Sequence, residues 1–513
     1  MHGSELLDLI NNIEKTFPVE QWQLGDIKIW PLIRFEIFFK NVFSGKYGDS
    51  SKYSSQNLKK RIDLYSHISL SPFQRKCLKS FLGKEFRHDA LFLSNGVSNV
   101  LLNGKWYDKF CDPLIDLLGK HGCSSLLLSP GFKHFYPRHN ECFYVQGIQD
   151  FAKISSLADV SVGFSKKTEQ NNEFNELISF LEGNEKLTTL PNFHTIKRRV
   201  RKLKILASLY SLILRAVKPS VIFLVCYYGE GMALNLASRE LGIPSIDIQH
   251  GRQGDNHVAY GRFLSLPKTG YALLPSHFWC WSNYETNAIY SWSKNIDNYH
   301  IPMIGGNTFR EFFYNGKLPS LDADESLILD IKRQVSSKVH ILYTLNGLES
   351  DNYLEHLIAV IQKEEGRSFW WLRAHPCRLH QVDKLTKLLD EKPCLNAYIN
   401  ICEASSLPLF IILKNIDLHV TELSSTVLES CQCGIPSIVI GSEGAKIYSE
   451  QIKSGWAVSF PNLESIHTFF ESRDADRLIP NKVFQDSSIQ PDQYETSPAL
   501  QFVIKQISRR QQY

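Results

Sequence analysis

Two short motifs hold the residue types best suited to gripping phosphate: Arg373-Ala374-His375-Pro376 and Thr421-Glu422-Leu423-Ser424-Ser425. An imidazole donates to a phosphate oxygen, and a Ser-Ser pair opening a helix adds hydroxyls and free backbone N–H groups aligned with the helix dipole. The plainer alternative is that His375 closes a turn before Pro376 while Ser424 and Ser425 cap a helix. Taken singly, each motif favours that structural role. Together, each at the end of an apolar run, they favour a site. Glu429, one turn into the helix after the serines, either reaches ribose hydroxyls at the same edge or is an ordinary half-exposed helix glutamate.

The elements that must position these residues follow from the periodicity. Apolar runs at 369–372 and 416–420 read as buried strands, so both motifs sit at the carboxyl edge of one parallel sheet, where α/β folds bind ligands. Strand 339–343, helix 352–364, helix 379–389, helix 426–433 and strand 437–440 complete the second α/β set. Gly434 fits a helix C-cap and Pro436 a strand start, which makes both structural. A first set runs through strand 90–94, helix 107–120, and strands 125–128, 221–226, 244–248, 278–282 and 301–304, with a helix at 230–241. Two consecutive doubly wound domains imply a cleft between their sheet edges.

The first domain offers a second group of reactive residues. Glu230, in Gly229-Glu230-Gly231, is either favoured by the helix dipole or a general base for an acceptor hydroxyl. Gln249-His250-Gly251-Arg252-Gln253-Gly254-Asp255 closes the next strand. Its glycines allow close backbone approach, His250 donates or shuttles protons, Arg252 meets an anionic sugar or phosphate, and Asp255 is the alternative base or nucleophile. Gln249, Asn307 of Gly305-Gly306-Asn307, and Arg373 are further substrate-contact candidates. Asn346-Gly347 and the interval 441–446, with Glu443 and Lys446, are weaker ones.

The chain has 513 residues, 43% hydrophobic and 21% charged, with a formal net charge of +4. That length implies two large domains, and that charge is too small to argue for nucleic acid. The expected division is a helical amino-terminal elaboration over 1–85, an acceptor-side domain over 86–310, a linker over 311–335, a nucleotide-sugar domain over 336–472, and a tail over 473–513 packing back on the first domain. A basic run at 197–204 is a solvated helix face or a contact for an anionic acceptor or lipid headgroup. No apolar stretch is long enough to span a membrane, and residues 1–10 lack the basic start of a secretory signal. Eleven scattered cysteines without metal spacing suit reduced thiols in a cytosolic compartment. No Gly-x-Gly-x-x-Gly fingerprint, Walker loop or Asp-x-Asp pair stands at a suitable junction, so no cofactor and no metal is expected.

The run from Val420 through Ser424, Ser425 and Glu429 to Gly434-Ile435-Pro436 resembles the nucleotide-binding half of GT-B glycosyltransferases. A His-Pro motif followed by a Ser-Ser motif resembles bacterial sialyltransferases, Kdo transferases and polysialyltransferases that use CMP-sugars; teichoic acid polymerases using CDP-glycerol carry similar elements. The likeness covers mostly residues 220–460. It implies an α/β, GT-B-like fold with two Rossmann-like domains facing a cleft. It also implies that His375, Ser424 and Ser425 engage the donor phosphate, with Pro376 and Glu429 beside them. Glu230-Gly231 matches in part an acidic residue before glycine in the sialyltransferases, and surface-polysaccharide transferases carry a turn like Gln249-His250-Gly251. The implied function is metal-independent transfer of an acidic sugar from a CMP-activated donor to a glycan or lipid-linked glycan of the bacterial surface, capsule or lipopolysaccharide. The implied place is the cytoplasm, with peripheral association with the inner membrane or an assembly complex. The alternatives are a CDP-glycerol-type polyol-phosphate transferase and a non-catalytic GT-B-like glycan-binding or assembly protein.

Overall fold

The computed structural model describes residues 3–42, 86–131, 137–157, 168–319, 321–335, 338–347, 349–363, 367–378, 380–466 and 495–511. The serine-rich interval 44–61 and most of the tail, 473–494, lie outside the described residues. The chain divides into two compact units, residues 1–311 with 491–513, and residues 312–490.

In the first unit two short hairpins, β1 (Gln23–Leu24) with β2 (Ile27–Lys28) and β4 (Asn99–Leu102) with β5 (Lys105–Asp108), are separate from the main sheet. That sheet is built from β3 (Ala90–Leu93), β6 (Ser125–Ser129), β7 (Cys142–Tyr144), β8 (Val221–Val225), β9 (Ser245–Ile248), β10 (His277–Cys280) and β11 (Ile301–Ile304). The order is β11-β10-β9-β8-β3-β6-β7, parallel throughout. Every residue of β8 is buried, as expected of an apolar run covered on both faces. The order reverses between β3 and β8, which places a ligand crevice at their carboxyl ends. Tyr107 and Asp108, expected to open a helix, instead end the second hairpin, and the helix begins at Cys111. The Asp108 carboxylate accepts the N–H groups of Phe110 and Cys111, both at 3.0 Å, and so fixes that later start.

Helix Gly3–Thr16 turns Leu6, Leu7, Ile10 and Ile13 into the same core as Leu91, Leu126 and Ile222 of the sheet. The basic run lies on helix Phe193–Val217, and several of its cations are committed to protein partners. Arg199 pairs with Glu36 at 3.4 Å, Lys204 with Asp26 at 2.5 Å, Lys202 with Glu230, and Lys197 sits over the Phe193 ring. Helix Pro498–Gln511 packs against this unit, with Phe502 4.3 Å from the His277 ring and Arg510 donating to the Pro219 carbonyl.

The second unit contains β12 (Val339–Thr344), β13 (Ser368–Arg373), β14 (Ile399–Asn400), β15 (Leu418–Thr421), β16 (Ser437–Ile440) and β17 (Ala457–Phe460). The order is β14-β13-β12-β15-β16-β17, again all parallel, with the reversal between β12 and β15. Helix Asp322–Gln334 occupies much of the polar interval 311–335; it buries Ile328 and pairs Glu325 with Lys414 at 3.1 Å. Among the described residues the cysteines are free thiols, no group of side chains is arranged to hold a metal ion, and no helix is long and apolar enough to cross a membrane.

Candidate functional site

In the second unit β12 runs between the strands that carry the two motifs, with Thr344 in register with Arg373 and Tyr343 with Val420. The strand tips are laced together. Leu345 N–H donates to the Arg373 carbonyl at 3.0 Å, and the Thr421 hydroxyl donates to the Thr344 carbonyl at 2.7 Å. Below them the buried His419 ring pairs with Thr344 Oγ1 at 2.7 Å and with Ser437 Oγ at 3.0 Å. His375 and the Ser424-Ser425 pair therefore flank the tip of β12 at the reversal point of the sheet.

That tip is shaped for an anion. Gly347 has φ +80°, and the backbone N–H groups of Asn346 and Gly347 both donate to the Glu349 carboxylate, at 2.6 and 2.8 Å. Successive N–H groups converging on one carboxylate form the kind of concavity that also takes phosphate. A β-carbon on Gly347 would lie 3.2 Å from His375 Cβ, so the half-buried imidazole rests directly on this turn. Pro376 is exposed and opens the turn Pro376–Arg378, which Arg378 N–H closes on the His375 carbonyl at 2.7 Å.

The two serines are not equivalent. Ser424 Oγ donates to Thr426 Oγ1 at 3.0 Å and accepts the Thr426 N–H at 3.3 Å, while its carbonyl accepts the Tyr448 hydroxyl at 2.7 Å. Ser425 holds the N-cap position of helix Thr426–Gln432 without a side-chain cap, and its half-buried hydroxyl has no partner among the described residues. Arg373, expected to touch substrate, is largely committed to protein: Nη1 donates to the carbonyls of Ala404 at 2.6 Å and Leu407 at 2.8 Å. Burial lowers its pKa to about 10, and the charge of Glu429 acts in the opposite direction, which couples the two motifs electrostatically.

In the first unit Glu230 stands at the N-cap of helix Gly231–Glu240, without a capping bond, and forms an ion pair with Lys202. Gly231 is required there, since a β-carbon would meet the Cys226 carbonyl at 2.9 Å. His250 packs among Phe110 and Tyr228, with only long contacts, to the Tyr228 hydroxyl at 3.5 Å and the Ile248 carbonyl at 3.4 Å. Burial pushes its pKa down to about 4, so it acts as a neutral imidazole rather than a cation. Arg252 and Asp255 are half-buried in the turn that follows. Two candidates are used internally. Gln249 is fully buried, donating to the Gly251 carbonyl at 2.9 Å and accepting Trp281 N–H at 2.7 Å, so its side chain shapes the turn. Asn307, 5% exposed, accepts Arg310 N–H at 3.3 Å as a helix cap.

Several residues that build the site escaped the sequence reasoning. Asp247, fully buried, accepts Tyr227 N–H and the Tyr260 hydroxyl, both at 2.8 Å, and holds the turn after β8; burial raises its pKa to about 8. Its signal is a lone acid inside an apolar strand. Glu349 gave no such signal.

No family model matches the sequence, and neither does any curated protein. The fold does have solved counterparts. The structure of UDP-GlcNAc 2-epimerase from Neisseria meningitidis bound to UDP-GlcNAc aligns with a TM-score of 0.50 at 12% identity, covering 81% of this chain and 99% of that one. UDP-GlcNAc 2-epimerase from Methanocaldococcus jannaschii aligns at 0.47 and 14%, covering 81% and 99%. Medicago truncatula UGT71G1 complexed with UDP-glucose aligns at 0.44 and 11%, covering 82% and 98%. At these identities the likeness concerns architecture: two Rossmann-like units, each a parallel sheet with helices, in a GT-B-like fold.

Proposed function

We propose that the protein is a glycosyltransferase that binds a nucleotide-activated sugar at the β12–β15 edge of its second unit. The observation that carries this reading is the convergence of an anion-holding turn at Asn346-Gly347, the imidazole of His375 and the uncommitted hydroxyl of Ser425. Donors of this kind stabilise the negative charge that collects on the nucleotide phosphate as the glycosidic bond breaks. Glu429 is assigned to the ribose, and Ser424 and Pro376 to the shape of the grip. The acceptor hydroxyl is assigned to the first unit, with Glu230 as general base, Asp255 as its alternative, and neutral His250 and Arg252 near the sugar. A solved protein of similar fold, UDP-GlcNAc 2-epimerase from Neisseria meningitidis, is bound to UDP-GlcNAc, which supports a nucleotide-sugar ligand.

Within that class we favour a CMP-linked acidic sugar as donor and a bacterial surface glycan as acceptor, on the His-Pro and Ser-Ser motifs, with the reaction at the cytoplasmic face of the membrane. The test is calorimetric titration with CMP, CDP, UMP and UDP, followed by transfer assays with CMP-linked acidic sugars and mass analysis of the product. Tight CMP binding lost in His375→Ala supports the reading. Binding of UDP alone reverses the donor assignment. Binding of no nucleotide overturns the site. The fold shared with UDP-GlcNAc 2-epimerase gives a second reading, an epimerase-like enzyme, which converts its sugar without any acceptor. A CDP-glycerol donor would leave phosphorus in the product.

A further inference from the structure

A cavity of about 330 Å³ opens in the first unit at the opposite end of the sheet from His250. Ser245 and His277, the first residues of β9 and β10, form part of its wall. The length of one four-residue strand, roughly 13 Å, therefore separates it from the carboxyl edge. Helix Pro498–Gln511 closes one side with Phe502 and Gln506.

Its lining is chemically one-sided. Among the described residues Arg239 is the only charged one in the wall, accompanied by amide and hydroxyl side chains and by His277, which burial holds neutral. The guanidinium lies 3.9 Å over the Tyr299 ring and donates through Nη2 to the Thr269 carbonyl at 2.6 Å. Nη1 is buried and has no acceptor, and no carboxylate pairs with Arg239 among the described residues. One turn earlier on the same helix Asn235, 1% exposed, uses its amide nitrogen on the Leu273 carbonyl and leaves Oδ1 buried without a donor. Both atoms are shielded from solvent and stand behind the wall; what faces the cavity is the half-buried remainder of a guanidinium that no carboxylate among the described residues neutralises.

We propose that this cavity is a second carbohydrate-binding site, taking one anionic monosaccharide unit. The carboxylate or phosphate of that unit meets Arg239, and its hydroxyls meet the amide and hydroxyl side chains around the rim. The cavity stands at the small end of ligand sites, which suits a single sugar and excludes a nucleotide-sugar. The lone cation selects for negative charge because a partly desolvated guanidinium gains most from an anionic acceptor. The inference is independent of the donor site.

The experiment titrates the full chain with glucuronate and glucose 6-phosphate, with glucose as neutral control and inorganic phosphate as bare anion. At least one anionic sugar is expected to bind in the millimolar range, about tenfold or more tighter than glucose or phosphate alone. The better of the two decides between a carboxylate and a phosphate ligand. Arg239→Gln should abolish the preference. Gln506→Glu, on the surface helix, leaves the Arg239 packing intact and should weaken the anionic sugar by about tenfold through local neutralisation. His375→Ala should change nothing, which separates this site from the donor grip. The proposal is overturned by failure of both anionic sugars to saturate, by equal binding of glucose or of phosphate alone, by insensitivity to Gln506→Glu, or by loss in His375→Ala.

Discussion

Gly347 and His375 are packed so closely that a β-carbon on the glycine would stand 3.2 Å from the histidine Cβ and 3.3 Å from its Cγ. The glycine also has φ +80°, where an L side chain is strained. Gly347→Ala should therefore cost about 1 to 2 kcal/mol of stability and push the imidazole off the phosphate position. The expected result is a drop of about tenfold in nucleotide affinity by calorimetry, beyond any change in the urea midpoint. Unchanged affinity would mean that His375 does not touch the ligand.

Glu349 occupies the N–H groups of Asn346 and Gly347 that a phosphate would use. An internal carboxylate competes with an incoming anion and lowers its apparent affinity by the fraction of time that it holds the turn. Glu349→Ala should thus tighten pyrophosphate binding several-fold. Weaker binding would place Glu349 itself among the ligand contacts.

Ser424 and Ser425 should separate cleanly when replaced. The hydroxyl of Ser424 is bonded to Thr426, so Ser424→Ala should lose about 1 kcal/mol of stability. Ser425→Ala removes a hydroxyl without a protein partner, so the thermal midpoint should hold while nucleotide affinity falls. Equal effects on both properties in both variants would contradict the assignment.

The strand framework was readable because runs such as Val221–Val225 are apolar on both faces, and the carboxyl edges of both sheets follow from that alternation. Which polar residues at those edges remain open to a ligand was not readable. The partners of Gln249 are the Gly251 carbonyl and the distant Trp281 N–H, and those of Arg373 are carbonyls at Ala404 and Leu407. Such bonds depend on how chain segments meet, which periodicity does not encode. Tyr107 has helix-compatible spacing with its successors, yet hairpin pairing with Val100 prevails. The resemblance in the Ser-Ser motif pointed to the tip of β15 but treated two serines in different environments as alike.

Acid should destabilise the second unit through His419. The ring is fully buried, and burial depresses its pKa to about 3, against about 6.5 for an unfolded histidine. Below about pH 6.5 the unfolded chain binds the extra proton and the folded one does not, so this contribution is complete above that value and declines as pH falls toward the folded pKa. At about pH 5 the loss is about 2 kcal/mol. Urea titrations of wild type and His419→Gln should show the variant losing less stability between neutral pH and that point. A parallel pH dependence would place the acid sensitivity elsewhere.

Arg34 gives the amino-terminal helices a role in the first unit's candidate edge. It is fully buried, ion-paired with the fully buried Glu14, and donates to the carbonyls of Val258 at 3.0 Å, Gly261 at 2.5 Å and Arg262 at 3.3 Å. Glu14 in turn accepts Leu264 N–H at 2.5 Å and Trp30 Nε1–H at 2.7 Å. The clamped segment presses on the candidate turn, since a β-carbon on Gly261 would lie 2.5 Å from Asp255 Cα. Removing one member leaves a buried charge without its partner, which costs about 3 to 5 kcal/mol. Arg34→Met should accordingly lower the first unit's unfolding transition by that amount and deprotect amides at 254–264 in hydrogen exchange, while nucleotide binding by the second unit persists. If protection at 254–264 is unchanged, the helices are an appendage and Asp255 is held by other contacts.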